Sequence, residues 1–135
     1  MGCDDPSAPQ PPSAVAPGTI VRLTVEEPAP GVRVIMVAGE LDIFSASTLE
    51  DSVHLQLTRR VHGLIIDLGE LSFLGCAGVL VLNRAREAAQ RKKVPLQLVC
   101  DSPAVLRILK ICDALDKFAI SPTLDDTLGG VPKTP

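Results

Sequence analysis

LIIDLGELSFLGCAGVLVLNRAREAAQR, residues 64–91, is the stretch on which the architecture turns. Leu64-Ile65-Ile66-Asp67-Leu68 is apolar apart from one acid, the pattern of a strand covered on both faces. Asp67 reads as an acceptor for backbone N–H groups in the turn after that strand. Gly75 and Gly78 then bracket a helix start, and Val79, Leu82, Ala85 and Ala89 recur at helical spacing. The spacing predicts a helix from Ala77 to about Arg91 and so a complete strand-helix unit.

On the carboxyl side, Val94 to Cys100 reads as another buried strand. Ser102 can cap the next helix and Pro103 suits its first position, with Val105, Ile108, Leu109 and Cys112 on one face. Phe118 to Ile120 is a short last strand, and Leu124 to Leu128 a final helical turn. On the amino side, Thr19 to Val25 and Val32 to Ala38 form two antiparallel strands around the turn Pro28-Ala29-Pro30-Gly31. Ser47-Thr48-Leu49-Glu50 reads as a capping box for a helix with Leu49, Val53 and Leu57 inward, ending near Arg60. Strands alternating with helices imply right-handed crossovers and an α/β class. The expectation is a mixed, mostly parallel sheet of about five strands flanked by four helices.

At 135 residues and 46% hydrophobic, the chain is expected to hold one domain at 19–128. Pro6, Pro9, Pro11, Pro12 and Pro17 make 1–18 a disordered tail by composition, and 129–135 a flexible one. A net charge of −3, with no Trp or Tyr, argues against nucleic acid as partner. No apolar run approaches the roughly 20 residues of a membrane helix. Pro6 stands where a myristoylation signal wants Ser or Thr, which argues against a lipid anchor. Cys3, Cys76, Cys100 and Cys112 form no C-x-x-C pair, so neither a metal centre nor a secreted disulfide framework is expected, and the chain is placed in the cytoplasm with reduced thiols. Phosphate-binding and dinucleotide glycine motifs are absent, so no cofactor is expected. Leu82, not Arg, lies six residues after Cys76, which excludes a cysteine phosphatase. His54 and His62 read as ordinary polar residues.

The order of elements, together with Gly39-Glu40-Leu41-Asp42, Ser45-Ala46, the run Leu64 to Gly78 and Leu115-Asp116-Lys117-Phe118, resembles the STAS domain of bacterial anti-sigma factor antagonists. It most resembles the actinobacterial, mycobacterial type acting on the sigma-F pathway. The resemblance covers about residues 19 to 125 and implies a STAS fold and a non-enzymatic domain. Such a domain docks on an anti-sigma factor that is also a serine kinase of the GHKL ATPase type, and so frees the sigma factor. The resemblance implies a docking surface of Asp42, Ser45, Phe73, Leu74, Gly75, Cys76, Ala77 and Gly78.

In that family the second helix starts Asp-Ser-Ser/Thr-Gly, with the first Ser phosphorylated by the partner. Here the matching residues are Gly75-Cys76-Ala77-Gly78, so no phosphorylation is expected at Cys76. A thiol at a helix N-terminus faces unpaired backbone N–H groups, which favours a reactive, oxidisable sulfur. The alternative is a small filler that a kinase cannot modify. A redox switch needs a second sulfur. In a simple parallel layout Cys100 shares an edge with Cys76, whereas Cys112 lies about 15 Å off at the far end of its helix. Both pairings stay open. Two further readings stand beside docking. One is a thiol enzyme using Cys76, with His54 or His62 as its base. The other is a STAS module that senses a small ligand or a membrane complex.

Overall fold

A computed structural model describes residues 21–129. The whole of the 1–18 tail reading, Cys3 and the segment beyond Gly129 lie outside the described residues. Among the described residues the order is β1 (Val21–Ala29), β2 (Val32–Leu41), α1 (Ala46–Leu57), β3 (Gly63–Leu74), α2 (Cys76–Arg91), β4 (Leu96–Val99), α3 (Pro103–Ile111), β5 (Ala119–Ser121) and α4 (Leu124–Gly129), with a single 3-10 turn at Leu115–Lys117 before β5. The sheet runs β1-β2-β3-β4-β5. β1 is antiparallel to β2, and every other pair is parallel.

Three helices share one face of the sheet. Leu49 and Val53 of α1, Val79, Leu82, Ala85 and Ala89 of α2, and Val105 and Leu109 of α3 join Ile35, Val37, Leu64, Ile66 and Leu98 in one apolar cluster. The other face holds a smaller cluster, Val32, Val34, Ile65 and Val99, with Leu124 and Leu128 of α4 packed against it. Leu64, Ile65, Ile66 and Leu68 are all fully buried, so β3 is covered on both faces.

β1 and β2 meet at a turn that only glycine tolerates. Gly31 has φ +78°, and a Cβ there would stand 2.2 Å from the His62 ring. Beyond Glu26 the β1–β2 register shifts and Pro28 enters the strand, where it offers no N–H to a ladder.

Several boundaries differ from the sequence reading. β1 runs through Pro28 to Ala29, which shortens the turn to Pro30-Gly31. β3 continues past Asp67 to Leu74, with register shifts against β2 that absorb the polar stretch Gly69-Glu70. The Asp67 carboxylate accepts the Gly69 N–H at 2.8 Å, within the strand rather than after it. No capping box forms at Ser47: the N-cap is Ser45, α1 ends at Leu57, and Glu50 instead meets Arg84 at 3.6 Å. Ser102 does cap α3, accepting the Val105 N–H at 3.4 Å, with Pro103 in the first turn.

Candidate docking site

The carboxyl ends of β2 and β3 bring two loops together. Leu41 pairs with Leu74, and the Gly75 N–H donates to the Leu41 carbonyl at 2.9 Å. The β2–α1 loop, residues 42–45, therefore lies against the entry to α2, at the sheet edge where open α/β folds place their sites. An Asx turn fixes that loop. The Asp42 carboxylate accepts the Phe44 N–H at 2.9 Å and the Ser45 N–H at 3.1 Å. In return the Ser45 hydroxyl accepts the Asp42 N–H at 3.0 Å and donates to the Glu40 carbonyl at 2.7 Å.

This mutual hold presents two large apolar side chains to solvent: Ile43 is 76% and Phe44 80% exposed. Phe73, at the end of β3, is 48% exposed. It also lines a groove of about 280 Å³ with Leu74 and with Val105, Arg107 and Ile108 of α3. Single exposed apolar residues need no explanation, but adjacent ones held on a rigid turn mark an interaction surface.

Gly75 is the N-cap of α2 and Cys76 its first residue, with no capping side chain and no acid in the first turn. The first N–H groups of a helix lack intrahelical partners, so an uncapped start leaves them facing solvent beside the exposed Cys76 thiol. Gly78 lets the helix approach the sheet, because a Cβ there would meet Leu74 Cδ1 at 2.7 Å.

The structure corrects the expected geometry of the sulfurs. Cys112, the C-cap of α3, has the Cys76 thiol as a neighbour. Partial desolvation, then this neighbour, pushes Cys112 above the ordinary thiol value. The expectation of about 15 Å assumed that α3 runs back along its strand as in a regular strand-helix unit. Instead Val105 and Ile108 line a groove with Phe73 and Leu74 at the end of β3, and Cys112 closes the helix as its C-cap. Cys100 is buried at 2% exposure, its N–H donating to the Ser121 carbonyl at 2.9 Å. Burial, helped by the charges of Asp101 and Asp67, raises its thiol. All three cysteines are free.

The STAS domain profile matches residues 25–127, which span all of these elements except the first four residues of β1 and the end of α4. This chain belongs to the STAS domain family. Over 97 residues this STAS domain is 32% identical to the anti-sigma-F factor antagonist RsfA of Mycobacterium tuberculosis, covering 70% of the chain and 76% of that protein. It superposes on the crystal structure of an anti-sigma factor antagonist from Mycobacterium paratuberculosis with a TM-score of 0.77 at 31% identity, covering 86% and 97% of the two chains. The unphosphorylated form of the antagonist SpoIIAA matches with a TM-score of 0.69 at 17% identity over 81% and 95%, which shows the shared fold.

Of the residues read from the STAS motifs, Asp42, Ser45, Phe73, Gly75 and Cys76 gather at this edge, while Leu74 and Gly78 are buried supports beneath it. Asp42 and Ser45 spend their polar atoms on the turn itself, so they act by holding Ile43 and Phe44. The sequence reading missed those two, and also Ile111, 69% exposed beside Cys112. The available signal was an apolar pair directly after the Gly-Glu-Leu-Asp break, with no periodic partner.

The histidines lie elsewhere. His62 packs on the Gly31 turn at the amino end of β3, and exposed His54 is in the last turn of α1. Twelve strand residues, more than about 30 Å at 3.3 Å each, separate His62 from Cys76. Among the described residues no group of three or more His, Cys, Asp or Glu could hold a metal, and no helix is long and apolar enough to cross a membrane.

Proposed function

We propose that this STAS domain is an anti-sigma factor antagonist. It docks through the carboxyl edge of its sheet on a cytoplasmic anti-sigma factor of the GHKL serine-kinase type and so releases a sigma factor, without catalysing a reaction itself. The observation that carries this reading is the rigid apolar pair Ile43-Phe44 beside Phe73 and the exposed start of α2. The printed names of the mycobacterial relatives support it.

Cys76 and Ala77 stand where the family pattern has hydroxyls, so control passes from phosphate to sulfur. Hydrogen peroxide takes two electrons and two protons from the Cys76 and Cys112 thiols, leaving one disulfide and two waters. The juxtaposition of these thiols supports that pairing over Cys76 with buried Cys100. A bridge ties α3 to α2 across the docking face and weakens docking.

The test is titration of reduced and oxidised protein against candidate anti-sigma factors. At least tenfold weaker binding after oxidation is expected. Equal affinity in the two states removes the redox gate, and failure of the reduced protein to bind any kinase-type anti-sigma factor removes the docking reading. The ligand-sensing alternative draws on the groove beside α3, but that groove shares Phe73 with the apolar edge and is read as part of the docking face.

A further inference from the structure

The chain's net charge of −3 conceals an uneven distribution. Arg59, Arg60, Arg91, Lys92 and Lys93 supply five of its 13 Lys and Arg residues, and no acid occurs within 58–63 or 88–100. The fold gathers both runs at one pole. Leu64 pairs with Leu96 and its N–H donates to the Pro95 carbonyl at 2.9 Å, so the loops after α1 and α2 meet at the amino ends of β3 and β4. Arg59, Arg60 and Lys92 line a basin of about 370 Å³ there, with Leu57, Val61 and Val94 among its walls. All five cations are exposed. The ion pairs among the described residues are Arg33 with Glu27 and Arg84 with Glu50, so none of the five has an acidic partner there.

Helix dipoles account for only part of this. A cation in the last turn offsets the negative end of a helix, an effect confined to that turn, whereas Arg60 and Lys93 lie beyond the two helix ends. Lys93 is held at φ +59°, in the position after the α2 cap that favours glycine, where its N–H donates to the Gln90 carbonyl and that of Val94 to Ala89. A lysine there gives up conformational ease in exchange for charge.

The occupant follows from what the basin lacks. The N–H groups of Thr58, Arg59, Lys92, Lys93 and Val94 all donate to backbone carbonyls, so they cannot cradle a phosphate, and two helix C-termini oppose a compact dianion. Neither loop holds a Phe, Tyr or Trp to stack a base. Carboxylates on a flexible segment fit instead, because each meets a long cationic side chain at its tip and Arg takes a carboxylate bidentately. Leu55, 54% exposed one turn before Arg59, adds an apolar contact.

We propose that this basic pole is a second interaction surface, which takes an acidic segment of a partner protein. The twelve residues of β3 put it more than about 30 Å from the edge that carries Ile43 and Phe44, so both surfaces can be occupied at once. The proposal does not rest on the anti-sigma factor reading.

The experiment is fluorescence anisotropy of a labelled Glu-Glu-Leu repeat peptide, titrated with the full reduced chain at physiological ionic strength, where weak surface attraction is screened. Saturable binding is expected. The triple variant Arg59→Glu, Arg60→Glu, Lys92→Glu should lose at least tenfold in affinity with its thermal midpoint kept, whereas Arg22→Glu, Lys110→Glu, Lys117→Glu, an equal change of charge elsewhere, should lose less than twofold. Equal losses in the two, or no binding by the parent, overturn the proposal. So does tighter binding of tripolyphosphate or single-stranded DNA than of the peptide. The double variant Ile43→Ser, Phe44→Ser should bind the peptide as the parent does; loss there moves the acidic contact to the docking edge and overturns the proposal. Should the triple variant not fold, Lys93→Gly decides: it should keep or raise the thermal midpoint and still lose at least twofold in affinity, and undiminished binding overturns the proposal.

Discussion

A Cβ at position 78 would stand 2.7 Å from Leu74 Cδ1 and 3.0 Å from the Leu41 side chain, and neither leucine is more than 2% exposed. Gly78→Ala should therefore lose about 1–2 kcal/mol in urea unfolding, because overpacking outweighs the better helix propensity of alanine. An unchanged or higher midpoint would mean that the leucines can yield. Buried Cys100 carries a pH dependence. Its thiol is raised in the folded state by burial first, so the folded protein holds a proton that the unfolded chain gives up above the ordinary value of 9.0. The stability is full below that value and drains away as pH climbs through the folded one; Cys112, raised as well, adds the same sign. Wild type should lose more stability between neutral pH and about pH 10 than Cys100→Ala does. Parallel curves would refute this.

Among the elements, α3 is where local and long-range information part. Its start is written in two consecutive residues, since Ser102 and Pro103 need only each other and the next turn, and the structure keeps both roles. Its direction is not local: it depends on Val105 and Ile108 meeting Phe73 and Leu74, contacts that sequence spacing does not encode. The misplacement of Cys112 follows from that. β3 shows the same division, its apolar first half legible and its bulged second half hidden by glycine and acid. The Asx turn at Asp42 displaced a capping box that looked sound, because the Ser45 hydroxyl is engaged with Glu40 and Asp42 before the helix begins. A nine-residue helix has little stability alone, so α3 depends on its buried side chains. Leu109→Ala should cost about 2–5 kcal/mol and slow Cys76–Cys112 disulfide formation. Mass spectrometry of peroxide-treated protein checks this, and an undiminished rate would show that α3 stays in place without Leu109.

For the molecule as a whole, folding and the proposed docking use different residues. The main core lies under α1, α2 and α3, while Ile43 and Phe44 contribute almost nothing to it. The double substitution Ile43→Ser with Phe44→Ser should leave the thermal midpoint within a degree or two and weaken anti-sigma factor binding at least tenfold; the small stability effect is typical of exposed sites. Unchanged binding, measured by calorimetry, would move the interface elsewhere. β-branched runs and helical spacing made the α/β architecture legible, whereas the docking residues were implied only by the resemblance to the STAS motifs. The exposure of Ile43 and Phe44 was not legible, since exposure is a property of the assembled edge. At the opposite flank, β1 is an outer strand with one side unpaired among the described residues, a standing invitation to stack against another sheet. Pro28, the register shift after Glu26, and the charges of Glu26 and Glu27 make that flank a poor template. An exposed apolar edge at one end of the sheet is thus paired with an outer strand ill-shaped for adding a further strand, which works against copies stacking into fibres.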